Sequence, residues 1–182
     1  GSVDGRIVAV SLSDGRARIV CPGLQPSWSA DGESFVCERR GRDSGIWVMN
    51  PSGLSGRRLS AGTAPKWSPD GRSIAFLHDN GVWIHDVESD QRQQIFMRED
   101  HPYQDLGRDL AWSPDSRSLA VVGNFAATSQ LLILPAMSTA AQDVKIRYSF
   151  DVDYRGNLNW SRQHGILLGI TDVQSGRPLL VS

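Results

Sequence analysis

The sequence predicts an all-β chain: a β-propeller of four-stranded antiparallel blades, built from about four repeats. Three observations predict it. A Trp-Ser turn motif recurs four times, short β-type runs fill the intervals between its copies, and no segment has convincing helical periodicity.

The motif reads WSADGES at Trp28, WSPDGRS at Trp67, WSPDSRS at Trp112 and, in decayed form, WSRQHGI at Trp160. These anchors lie 39, 45 and 48 residues apart. A period of about 40–50 residues carrying several strands is the propeller range. The whole of 1–182 therefore reads as a single propeller domain.

The second unit shows the four strands in order: APKWS (64–68), SIAFLH (73–78), VWIHD (82–86) and QQIFM (93–97). The first unit supplies PSWS, SFVCER, IWVMN and RRLS. The third supplies LAWS, SLAVVGN, QLLILP and VKIRYSF. The N-terminal RIVAVS and ARIV look like the third and fourth strands of a unit that lacks its beginning. LNWS, ILLGIT and PLLVS look like one that lacks its end. Two arrangements satisfy this pattern. The ends join to close a small propeller of four blades, or the chain is an open section of a larger one whose exposed edges invite self-association.

The motif has a turn mechanism. Pro69 fixes its own φ, Asp70 accepts a backbone N–H and Gly71 supplies a positive φ. Asp31-Gly32 repeats this, while Asp115-Ser116 loses the glycine, which predicts strain or a different turn. Asp31, Asp70 and Asp115 are accordingly turn makers, not catalytic acids. Trp28, Trp67, Trp112 and Trp160 share one repeat position, Trp47 and Trp83 another. All six are expected to fill the wedges between blades and to be largely buried.

These units, WSPDGRSIAFLHDNGVWIHDV above all, resemble the WD-like propeller repeats of the TolB-like family. Similar repeats occur in the propellers of tricorn-type and prolyl-oligopeptidase-type peptidases. The resemblance implies a non-catalytic protein-interaction scaffold from a bacterial periplasm or other extracytoplasmic space. It also leaves open a gating or regulatory propeller of a hydrolase whose catalytic domain lies elsewhere. A third reading is an extracytoplasmic sensor domain of a membrane-anchored regulator.

The chemistry-bearing motifs agree with an interaction role. There is no G-x-S-x-G, H-E-x-x-H, C-x-x-C or phosphate-binding glycine loop, and the four histidines show no metal-ligand spacing. No enzyme activity, cofactor or metal is expected. DVDYRG (151–156) starts like a calcium loop but puts Arg155 and Arg162 where oxygen ligands are needed. A net charge of −1 and the lack of a basic stripe argue against nucleic acid, and no apolar run is long enough to span a membrane. Cys21 and Cys37 read as small buried hydrophobes, with one bridge between them left open.

Strand alternation sends the WSPDG turns to one face and the irregular loops to the other. The irregular loops include 39–44 and 97–109. Long loops on a rigid scaffold are where binding concentrates. A protein partner is therefore expected on the second face, through Arg39, Arg40, Arg42, His101, Tyr103 and Arg108. The arginines would grip carboxylates and Tyr103 would serve as an aromatic anchor.

Overall fold

The computed structural model describes residues 5–97, 99, 101–125, 128–137, 145–150, 153–171 and 178–179. Five antiparallel sheets follow one another along the chain. A hairpin of β1 (Arg6–Val10) and β2 (Ala17–Pro22) comes first. Blade one holds β3 (Leu24–Trp28), β4 (Phe35–Arg39), β5 (Gly45–Met49) and β6 (Gly56–Ser60), with a single 3-10 turn at Gly41–Asp43. Blade two holds β7 (Thr63–Trp67), β8 (Ser73–His78), β9 (Gly81–Asp86) and β10 (Arg92–Met97). Blade three holds β11 (Asp105–Trp112), β12 (Ser118–Phe125), β13 (Thr128–Pro135) and β14 (Lys145–Phe150). The last sheet contains β15 (Asp153–Ser161), β16 (Gly165–Thr171) and β17 (Pro178–Leu179). Each sheet is a meander, its strands paired in chain order. The fold is the all-β propeller that the repeat predicts.

Of the two arrangements that the sequence allows, closure by joining of the two ends is not shown. β1–β2 and β15–β17 are separate sheets, and among the described residues no ladder links them. The described residues thus form an open section with three complete blades.

The blades hold together through apolar wedges. Between blades two and three, Ala75, Leu77, Val82, Ile84 and Phe96 meet Leu110, Leu119, Val121, Leu132 and Leu134. Between blade three and the last sheet, Ala120, Val122, Leu131 and Ile133 meet Leu158. Ile7 and Cys21 of the hairpin pack on Phe35, Cys37 and Met49 of blade one. Wedges of β-branched and aromatic side chains are what alternation along strands buried on both faces requires.

Carboxylates latch the blades further. The residue three before the anchor tryptophan is left-handed in three sheets: Gln25 at φ 49°, Ala64 at φ 53° and Asn157 at φ 68°. The ladder slips beside these positions, as a bulge demands, and at the Ala64 and Asn157 bulges a local N–H turns toward the preceding blade. The Ala64 amide donates to Glu38 Oε2 at 3.4 Å, and the Leu158 amide donates to Asp109 Oδ2 at 2.7 Å. Glu38 and Asp109 are both buried. Asp109 also lies 2.9 Å from the Lys66 ammonium. The sequence reading did not see these latches.

The WSPDG turns form as expected, with the motif serine at their centre. Ser68 Oγ donates to Asp70 Oδ1 at 2.6 Å and accepts the Ser73 amide at 2.9 Å, while Asp70 Oδ1 accepts the Arg72 amide at 3.1 Å. Blades one and three repeat this arrangement. The Ser29 and Ser113 hydroxyls, and then the backbone amides, hold the Asp31 and Asp115 carboxyls below the usual carboxylate range. Ser116 keeps the same turn at φ 60°, where the other two blades have Gly32 and Gly71. The missing glycine is absorbed as a strained residue, not as a new turn type.

The tryptophans do not all fill wedges. Trp112 is 7% exposed and its indole N–H donates to the Lys66 carbonyl of the preceding blade at 3.0 Å. Trp67, Trp47, Trp83 and Trp160 are half-buried. Trp28 is 55% exposed and touches Phe35 edge-on at 5.6 Å. The reason is positional. Trp112 packs back on the first strand of the preceding blade, whereas the sheet before Trp28 is a two-stranded hairpin without such a strand.

Candidate functional site

The two faces separate as the pleat predicts. On the turn face, neighbouring WSPDG turns touch: Ser116 Oγ accepts the Asp70 amide at 3.1 Å. On the loop face, strand ends from all three complete blades surround an open cavity of about 1130 Å³. Blade one contributes Glu38, Arg39, Arg40 and Arg58, blade two His78 and Asp79, and blade three Asp105, Arg108 and Asn124. A smaller cavity of about 220 Å³ lies beside it, between the hairpin and blade one, and Arg39, Arg40 and Arg42 line it. A ridge of blade-one arginines therefore borders two depressions.

Local structure sets three of these guanidinium groups. Arg39, at the end of β4, stacks over the Trp47 ring with Cζ 4.7 Å from its centroid. This leaves the N–H edge of the fork available for a ligand. Arg40 Nε donates to Glu38 Oε1 at 2.9 Å. Arg58 Nε donates to the Ser44 carbonyl at 3.0 Å. Its guanidinium lies over Gly45, where φ is +131° and a Cβ would come within 3.1 Å of Arg58 Nε. Only glycine gives that room and that backbone conformation. In blade three the Arg108 carbonyl accepts Gln25 Nε2 at 2.8 Å, fixing the backbone from which its exposed side chain projects.

The acids of the cavity are engaged. Glu38 holds Arg40 and the Ala64 amide, Asp79 lies 3.1 Å from His78 Nε2, and Asp105 accepts from Asn124 Nδ2. Among the described residues no carboxylate forms an ion pair with Arg39, Arg58 or Arg108. Four arginines against three carboxylates leave the lining of the cavity with a small excess of positive charge.

The sequence-predicted residues divide accordingly. Arg39, Arg40, Arg42 and Arg108 come together on the loop face. Tyr103 does not join them. It is 5% exposed, belongs to the wedge between blades two and three, and donates its hydroxyl to Gln130 Oε1 at 2.8 Å. Its ring lies flat over Gly123, where a Cβ would come within 2.7 Å of it, and burial raises its phenol pKa. Tyr103 is a core residue and cannot be a surface anchor. His101 is half-buried and stacks on Phe96 at 4.4 Å, away from both arginine-lined cavities. The sequence reading named none of Arg58, Glu38, Asp79 and Asp105 as a site residue, although it placed the loop of Asp79 and the charge of Asp105 on this face. Arg58 sits in a run read only as a strand, and its place beside Arg39 depends on β5–β6 pairing.

Among the described residues no group of three His, Cys, Asp or Glu side chains is placed to hold a metal, and no helix is long and apolar enough to cross a membrane. Cys21 and Cys37 are buried free thiols. Burial, followed by the neighbouring Cys21, pushes the Cys37 thiol up to about 12.

Residues 56–148, half of the chain, match the family described as the dipeptidyl peptidase IV (DPP IV) N-terminal region. The chain belongs to the DPP IV N-terminal-region family. That region is a propeller domain, in agreement with the blades described above. Among solved structures, this family member is similar to TolB from Acinetobacter baumannii. The TM-score is 0.68 at 16% identity, over 97% of this chain and 48% of that one. It is similar to the β-propeller domain of the trilobed protease from Pyrococcus furiosus, described as having an open velcro topology. Here the TM-score is 0.54 at 23% identity, over 81% of this chain and 47% of that one. It is also similar to a chain in a nidogen/laminin complex, with a TM-score of 0.67 at 12% identity, over 96% of this chain and 70% of that one. At these identities the likeness is one of fold. The chain spans about half the length of the TolB chain and of the trilobed-protease propeller domain that it matches. No curated protein matches it in sequence.

Proposed function

We propose that this chain is a non-catalytic protein-interaction scaffold whose partner docks on the loop face. The observation that carries the reading is the cavity of about 1130 Å³, ringed by three blades and bordered by Arg39, Arg58 and Arg108, which have no ion-paired acid among the described residues. Bidentate guanidinium groups on a rigid frame favour recognition of a polar protein surface. The opposite face offers turns locked by serine and aspartate, with little to vary. A fold neighbour seen in a complex with laminin is in keeping with this role.

A second reading draws on the family match over residues 56–148. In it the propeller regulates access to a hydrolase domain, and the loop face meets that domain. The two readings share the face and differ in what covers it.

The test uses bulky substitutions at two places on each face. Arg42→Trp and Asp79→Trp should abolish capture of the partner from the native host, while Glu33→Trp and Arg72→Trp on the turn face should not. The reverse pattern, in variants that melt like wild type, would place the interface on the turn face. Capture of a protein carrying a serine-hydrolase signature would favour the second reading.

A further inference from the structure

We propose that the loop-face cavity takes an extended acidic segment of the partner, its carboxylates held by Arg39, Arg58 and Arg108; this rests on the docking reading above. The asymmetry of the lining carries the argument. Four arginines line the cavity against Glu38, Asp79 and Asp105; Glu38 is paired with Arg40, while Asp79 faces His78 Nε2 and Asp105 accepts from Asn124. Arg39, Arg58 and Arg108 have no carboxylate partner among the described residues.

Their orientation adds to this. Stacking on Trp47 holds the Arg39 plane and leaves its edge open. The Ser44 carbonyl takes Arg58 Nε and leaves both terminal nitrogens to donate. The Gln25 contact pins the Arg108 backbone across the same cavity. The Arg39 and Arg58 forks, partly immobilised, have already lost part of the rotamer freedom that binding would otherwise remove, and charged hydrogen bonds to carboxylate are the strong kind. The three arginines come from two blades on a broad, open rim, so one compact ion would not engage all of them. A chain of spaced carboxylates would.

The probe is a short fluorescein-labelled peptide rich in Glu, compared by anisotropy with its Glu→Gln counterpart at low salt. The Glu peptide should bind and the Gln peptide should not, with affinity falling steeply as salt rises. Arg39→Gln, Arg58→Gln, Arg108→Gln together should weaken binding by about tenfold or more, and the corresponding Lys triple variant should fall between. The Gln peptide leaves the protein untouched, so the comparison stands even where a variant loses its fold. Equal binding of both peptides, an unaffected triple variant, or equally tight binding of single-stranded DNA each overturns the assignment. No binding of the Glu peptide, with partner capture still sensitive to Arg42→Trp and Asp79→Trp, overturns the acidic segment alone. Partner capture insensitive to those two changes overturns the docking reading beneath it.

Discussion

The Gln25 side-chain amide donates to the Arg108 carbonyl at 2.8 Å, joining blade one to blade three across 83 residues of sequence without passing through blade two. Gln25 reaches it from a left-handed backbone at φ 49°, the same bulge position that Ala64 and Asn157 occupy in their own sheets. A local irregularity of the repeat thus ties together two blades that line the loop-face cavity.

Gln25→Ala should cost about 1 kcal/mol, the usual net worth of one hydrogen bond. Urea melts measure it. The variant should also loosen the Arg108 region, seen as faster amide exchange at 105–109. Unchanged stability and exchange would mean that the contact does not constrain the cavity.

Trp112→Ala and Trp28→Ala, equivalent in the repeat, should differ sharply. Trp112 is buried and anchored to Lys66, so its loss should cost about 3–5 kcal/mol. Trp28 is more than half exposed, and its loss should cost about 1 kcal/mol or less. Equal effects would contradict the unequal packing of the blades.

Much of the fold could be read from the repeat. The Trp-Ser anchors, the Asp–Gly turns and the β-branched runs locate every strand of blades one to three, because each is a local pattern. The face carrying Arg39, Arg40, Arg42 and Arg108 followed from strand alternation, which is also local. What escaped depends on register between distant strands. Tyr103 looks like a loop residue by position, yet the extra length of β11 and the bare backbone at Gly123 open a core slot for its ring. Glu38 and Asp109 look like ordinary strand charges, and only the bulge of the next sheet turns an N–H toward each. Trp28 shares its motif with Trp112, and its exposure reflects the preceding sheet, not its own sequence.

Asp109→Leu should destabilise by about 2–3 kcal/mol, less than for a fully buried pair because Lys66 keeps contact with solvent. Asp109→Asn should cost less, since its side-chain carbonyl still accepts the Leu158 amide. Denaturant melts in which the two variants lose the same amount would show that the charge, not the hydrogen bond, is what the Leu158 latch needs.

His85 should make stability fall on mild acidification. It is 2% exposed, and among the described residues neither ring nitrogen has a hydrogen-bond partner; the Asp90 carboxylate, 3.3 Å from Nε2, is not aligned for one. Burial is the main cause of a lowered pKa, with Arg57 and Arg92 adding to it and Asp90 and Asp86 opposing. A lowered folded pKa means that the native state resists the proton. The His85 contribution is therefore complete above pH about 6.5, the unfolded value, and is lost as pH falls toward the folded one. His85→Met, which copies Met49 at the equivalent place in blade one, should flatten this slope in melts between pH 7 and 5. A slope identical to wild type would assign the acid sensitivity elsewhere.

The most direct test of the central claim is a map of the partner's footprint. A photo-crosslinking residue placed singly at Arg42, Asp79 or Asp105 should give partner adducts in the native host, and the same residue at Glu33, Arg72 or Arg117 should give none. Adducts confined to the turn-face positions, or spread evenly over both faces, would contradict the assignment of the loop face as the docking surface.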